Sequence, residues 1–121
     1  MGGTVTPYIP ERNHIVWVDF EPSRGREIGK YRQALVLSPQ AYQTRLGLMI
    51  CCPISTSIRG GPLEVGVHNL FRPSVVAASL VHTLCWKDRH VKYAVHAEDG
   101  LLEAVLERLG PLMGFDTLLS S

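Results

Sequence analysis

The sequence predicts a mainly β fold of the α+β class, a small β-barrel closed by one C-terminal helix. Two observations carry that prediction. Six short apolar runs of strand character follow one another from residue 15 to residue 96, separated by Gly-, Pro- and charge-rich breaks. The C-terminal third then changes period, with Leu101, Leu102, Val105, Leu106 and Leu109 at helical spacing. Many short strands followed by a single helix are best packed as a small barrel with a helical lid.

The elements can be taken in order. Residues 1–12 contain Gly2, Gly3, Pro7 and Pro10 and are expected to form a loose arm. Residues 15–20, rich in Val, Ile and aromatics, form the first strand and residues 33–38 the second. Pro39 suits a helical start, so one turn is expected over Pro39–Gln43. Residues 48–52 are continuously apolar, as in a strand buried on both faces. Residues 63–68 alternate Leu63, Val65 and Val67 with Glu64, Gly66 and His68, a half-buried pattern. Residues 75–84 are long enough for a strand bent midway, and residues 92–96 make a short last one. The helix is favoured at its start by Glu98 and Asp99 and is expected to stop at Gly110–Pro111. Its apolar face could pack on the barrel or on a second subunit. A single domain over 13–115, with a tail at 116–121, is the expected organisation.

Composition bounds the function. The chain has 121 residues, 45% hydrophobic and 19% charged, and a net charge of +1. That is ordinary for a globular domain, and it argues against a polybasic, sequence-blind nucleic-acid binder while permitting a local basic patch. Cys51, Cys52 and Cys85 sit in apolar surroundings. Adjacent cysteines in an extended run point to opposite faces, so the three read as buried free thiols in a reducing compartment. No run has the pattern of a signal peptide or a membrane span, and a cytoplasmic protein with no membrane association is expected.

Among the possible chemistries, metal and cofactor binding have no support. The five histidines are scattered, no C-x-x-C or H-E-x-x-H occurs, and His82 and Cys85 would face opposite sides of a strand. Phosphate-cradling glycine motifs and a nucleophile elbow are missing as well. Trp17 and Trp86 lie inside apolar runs and are expected in the core.

The charged loop between the first two strands is the strongest candidate site. It carries Arg24, Arg26, Glu27, Lys30 and Arg32, and a hydroxyl cluster, Ser55–Thr56–Ser57, follows the third strand. Such a loop is more often a solvated surface than a site. Arg32, directly before an apolar strand, would have a fixed backbone from which its guanidinium could grip a phosphate bidentately. Glu27 could orient Arg32 or take a proton from a hydroxyl, and Ser55 could donate to a phosphoryl oxygen. Those are the parts required for metal-independent RNA cleavage, in which the 2′-hydroxyl is an internal nucleophile. Lys30, Arg24, Arg26, Thr56, Ser57 and Arg59 are the candidate RNA contacts.

The segment IVWVDFEPSRGREIGKYRQALVLSP resembles the N-terminal signature of the MazF/PemK family of RNA-cleaving toxins, and CCPISTSIRGGPLEV resembles its next block. The resemblance covers most of residues 8–110. It implies an SH3-like barrel, a homodimer, a sequence-selective endoribonuclease (mRNA interferase) acting on single-stranded RNA without a cofactor, and a cognate MazE-like antitoxin. By position, the catalytic Arg falls on Arg32, the catalytic hydroxyl on Ser55 and the loop acid on Glu27. Ser79–Leu80 replaces the family's Asp-Gln pair, Gln33 replaces its Pro, and Ile28 its Gln. The alternative is a weakened, non-enzymatic binding module on the same barrel or a topoisomerase poison of the CcdB type.

Overall fold

The computed structural model describes residues 7–21 and 30–119. Seven strands and three helices follow in the order β1 (His14–Glu21), β2 (Lys30–Val36), α1 (Gln40–Leu46), β3 (Leu48–Ser55), β4 (Glu64–Val67), β5 (Ser74–Ala77), β6 (His82–Cys85), β7 (Lys92–His96), α2 (Leu101–Leu112) and α3 (Phe115–Leu119). The strands form one antiparallel sheet ordered β4-β5-β3-β2-β1-β7, with β6 also paired to β3. The expected α+β architecture is present, and among the described residues no pairing closes β4 onto β7.

Both faces of the central strands are buried, which explains their unbroken apolar runs. One core contains Ile15, Leu35, Cys52, Ile54, Val65, Val67 and Val76 under Leu101 and Val105 of α2. The other contains Val16, Val18, Ala34, Val36, Met49, Cys51, Leu84 and Trp86. The period-2 alternation of β1, β2 and β3 sends neighbours to different cores, and so Cys51 and Cys52 part company. Leu101, Val105 and Leu109 are buried, so the apolar stripe of α2 packs on the sheet of its own chain.

Several boundaries differ from those read in the sequence, besides β3 running on to Ser55 and α3, a helix the sequence reading did not include. First, β2 begins at Lys30 rather than Gln33, which puts Arg32 inside the strand, paired with Val18. Second, the long run 75–84 is two strands, both antiparallel to β3, broken by a turn closed by the Leu80 N–H to the Ala77 carbonyl. Third, α1 runs seven residues and stops at Gly47, whose left-handed φ of 68° closes the last turn onto Gln43. Fourth, α2 continues through Gly110 and Pro111 to Leu112. Pro111 lacks the N–H that would bond the Glu107 carbonyl, and the turn is closed beyond it by the Met113 N–H, which donates to the Leu109 and Gly110 carbonyls.

A buried polar hub ties the N-terminal segment and α1 to the sheet. Gln43 is fully buried, its Nε2 donating to the carbonyls of Pro10 (3.1 Å) and Ser38 (2.9 Å) and its Oε1 accepting from Ser38 Oγ (2.8 Å). Trp86, buried as expected, donates its Nε1 to the Gln43 backbone carbonyl at 3.0 Å.

Candidate active site

The β2–β3 ladder runs from Val36↔Cys51 to Ala34↔Pro53 and ends there. Counting on by two residues along each strand puts Arg32 and Ser55 on the two banks of the gap. A cavity of about 530 Å³ occupies it, lined by Trp17, Tyr31, Arg32, Gln33, Ile54, Ser55, Thr56, Ser57 and Arg59. Neighbours such as Arg32 and Gln33 can both reach it because the strands part beyond their last shared pair.

The walls are chemically asymmetric. Arg32 and Arg59 supply two guanidinium groups, Ser55, Thr56 and Ser57 supply three hydroxyls, and none of the described lining residues is a carboxylate. Such a lining favours an anion, and guanidinium forks match a phosphate in particular. Ser55 Oγ accepts the Ser57 N–H at 3.0 Å, a turn that fixes the hydroxyl oxygen and leaves its hydrogen free to donate outward. The loop behind Arg59 is held by Glu64, whose carboxylate accepts the N–H groups of Arg59 (3.1 Å) and Gly60 (2.7 Å).

Six of the residues singled out in the sequence fall among the described ones. Arg32, Ser55, Thr56, Ser57 and Arg59 converge on the cavity. Lys30 is the first residue of β2, its backbone paired with Glu21. Glu27, Arg24 and Arg26 lie outside the described residues. Ser79 and Leu80 sit in the exposed turn between β5 and β6, away from the cavity lining.

Trp17 overturns an expectation. It is 40% exposed on the cavity wall, whereas its neighbours Val16 and Val18 are fully buried. Tyr31, also missed, is 41% exposed beside it, the ring centroids 6.2 Å apart. Both follow from the pairing of β1 with β2. Ile15, Trp17 and Asp19 share one face of β1, opposite Leu35, Gln33 and Tyr31 of β2, so that face turns from apolar to polar along the pair. The aromatics sit at its open end.

Below Tyr31 lies a polar cluster. The Tyr31 hydroxyl donates to the His90 carbonyl, and burial, with the nearby Asp19 carboxyl, raises its pKa above the ordinary tyrosine value. The Asp19 N–H donates to the Arg89 carbonyl at 2.9 Å, and the Arg89 guanidinium donates to the Phe20 carbonyl at 2.6 Å. The cysteines take no part. Burial pushes the Cys51 thiol up to about 12 and that of Cys52 to about 11, so neither offers a thiolate near neutral pH.

Residues 11–113 match the family model for the PemK-like, MazF-like toxin of type II toxin–antitoxin systems. The chain belongs to this family. It is 36% identical over 85 residues to the endoribonuclease toxin MazF of Escherichia coli K12, spanning 70% of this chain and 77% of that protein. The crystal structure of MazF from Deinococcus radiodurans superposes with a TM-score of 0.79 at 38% identity, covering 89% of this chain and 99% of the other. In a MazE–MazF crystal form from the same organism the TM-score is 0.81 at 38% identity, with 89% and 98% covered. The cavity at the end of the β2–β3 ladder is thus set in a fold shared with family members over nearly the whole chain.

Proposed function

We propose that this chain is a toxin-type endoribonuclease that cleaves single-stranded RNA by attack of the ribose 2′-hydroxyl on the adjacent phosphate. The observation that carries the reading is the convergence of the Arg32 and Arg59 guanidinium groups and the Ser55 hydroxyl on one cavity. A phosphodiester placed there is held by its own charge. As the 2′-oxygen approaches phosphorus, charge accumulates on the non-bridging oxygens, and fixed donors stabilise it. Arg32 is the principal donor; a guanidinium keeps its proton in proteins and so acts electrostatically rather than as a proton carrier. Ser55 donates the hydroxyl hydrogen that the Ser57 contact leaves free. Glu27 is the base that removes the 2′-proton. The 5′-oxygen leaves and is protonated, giving a 2′,3′-cyclic phosphate and a 5′-hydroxyl. The nucleophile belongs to the substrate, so the reaction calls for neither a protein nucleophile nor a metal.

The relatives extend the reading. A MazE–MazF structure among them supports neutralisation of this chain by a cognate MazE-like antitoxin. We also infer a cytoplasmic homodimer with no membrane association; among the described residues no helix is long and apolar enough to cross a membrane.

The test is incubation of the folded protein with a long single-stranded RNA in EDTA. Cleavage to 2′,3′-cyclic phosphate ends by the wild type, and its loss in Arg32→Ala, supports the proposal. Intact RNA after treatment with folded wild-type protein overturns it.

A further inference from the structure

Trp17 and Tyr31 are large aromatic side chains left partly in solvent, 40% and 41% exposed, on strands whose apolar side chains are otherwise largely buried. Keeping that much apolar ring surface wet forfeits burial energy, and both rings stand on the wall of the same cavity as the two arginines. Their planes are tilted by 55°, so they do not cover one another and instead form an angled corner. Tyr31 is held there by its hydroxyl bond to the His90 carbonyl. His90 itself sits in a left-handed conformation, φ 52°, in a turn tied to β1 through Arg89. The corner is therefore set before any ligand arrives, which reduces the ordering cost of binding.

We propose that Trp17 and Tyr31 form a stacking corner for one unpaired nucleobase, next to the phosphate held by Arg32 and Arg59. An aromatic wall beside a cationic wall is complementary to a nucleotide, with its flat apolar base and its anionic phosphate. A simple phosphate would leave the aromatic wall unused. Every base has a π-face, so the corner adds affinity with little choice among bases and selects for single strands, in which a base can leave the stack. This inference rests on the cavity being an RNA site, but it does not require cleavage.

The experiment uses the full chain and four 2′-O-methyl homopolymer dodecamers (A, C, G and U), which cannot be cleaved because their 2′-oxygens are blocked, together with an abasic dodecamer of the same charge. Tryptophan fluorescence of the wild type should be quenched by the base-bearing oligomers and not by the abasic one. Trp17→Leu should abolish the quench, leaving the buried Trp86 as emitter, and weaken binding about tenfold. Tyr31→Phe, which keeps the ring but loses the bond to His90, should bind slightly more weakly than the wild type, and Tyr31→Leu several-fold more weakly again. The Tyr31 pair decides the matter should Trp17→Leu fail to fold. Equal affinities of wild type and Trp17→Leu, or an abasic oligomer that binds as tightly as the others, overturn the corner. If the oligomers bind as described but RNA stays intact, the ribonuclease reading falls and the corner stands. If RNA is cleaved with an unchanged KM in Trp17→Leu, the corner falls and the ribonuclease reading stands. Binding of no oligomer by the wild type sinks the corner as well.

Discussion

Ser55 and Ser57 are joined by a 3.0 Å hydrogen bond in which the serine hydroxyl oxygen accepts and the backbone amide donates. The direction of that bond leaves the Ser55 proton unused, at the end of a strand on the bank facing Arg32. An oxygen fixed by one bond and a hydrogen free for another make a preorganised donor.

Removing that donor should slow the chemistry rather than weaken binding. We expect Ser55→Ala to lower kcat by about a hundredfold with a modest change in KM, the usual cost of losing one donor to transition-state charge. Ser55→Thr keeps the hydroxyl and should stay within about tenfold of the wild type. Initial rates on a defined single-stranded RNA separate these outcomes, and an Ala variant with full kcat would remove Ser55 from the mechanism.

Arg32 should be less replaceable. Arg32→Ala is expected to lose at least about a hundredfold in kcat/KM, and Arg32→Lys to recover little of it, because an ammonium is a point charge without the planar fork. The backbone at this position is held by pairing with Val18, so neither change should unfold the strand. Thermal melts with the wild-type midpoint would confirm that the loss is chemical.

Gln43 should matter for stability alone. Replacing it with Leu leaves Ser38 and the Pro10 carbonyl without their buried partners, a cost of about 2–4 kcal/mol. A fall in Tm on the order of 10 °C is expected for a domain of this size. A melt unchanged by Gln43→Leu would show that the hub contributes no net stability.

The edge of β1 predicts a pH response. The Tyr8 hydroxyl and His14 Nδ1 are hydrogen-bonded at 2.7 Å. Burial holds the His14 pKa below its ordinary 6.5, the His96 ring lowers it further, and Glu11 opposes both. Tyr93 packs edge-on against the same ring. A histidine with a lowered folded pKa binds its proton more readily in the unfolded chain. Its contribution is therefore complete above about pH 6.5 and is lost as pH falls from there through the folded value. Between about pH 7.5 and pH 5, Tm of the wild type should fall more steeply than that of His14→Gln. Parallel curves would show that His14 does not drive the acid response.

The sequence was legible where one physical rule acts alone. Alternation at Glu64–Val67 and the helical stripe Leu101–Leu109 report burial on one face, and the continuous apolar run of β3 reports burial on both, so those elements were found where expected. Boundaries set by pairing were not. Lys30, Tyr31 and Arg32 are polar or amphipathic, and only their partners Glu21, Asp19 and Val18 make them part of a strand.

The candidate site divides in the same way. Residue identity and order were enough to single out Arg32 and Ser55, because a guanidinium and a hydroxyl at strand ends already imply anion chemistry and match the family's blocks. That they face one cavity depends on where the β2–β3 ladder stops, a long-range property of register that no local pattern encodes. The same applies to Trp17. Inside an apolar run it reads as core, and only the polar partners across the strand, together with the opening of the sheet at that end, turn it outward. The sequence by itself determined which chemical groups are available and which elements carry them. The tertiary structure decided which of those groups meet, because convergence is set by strand register and by the point at which two strands separate.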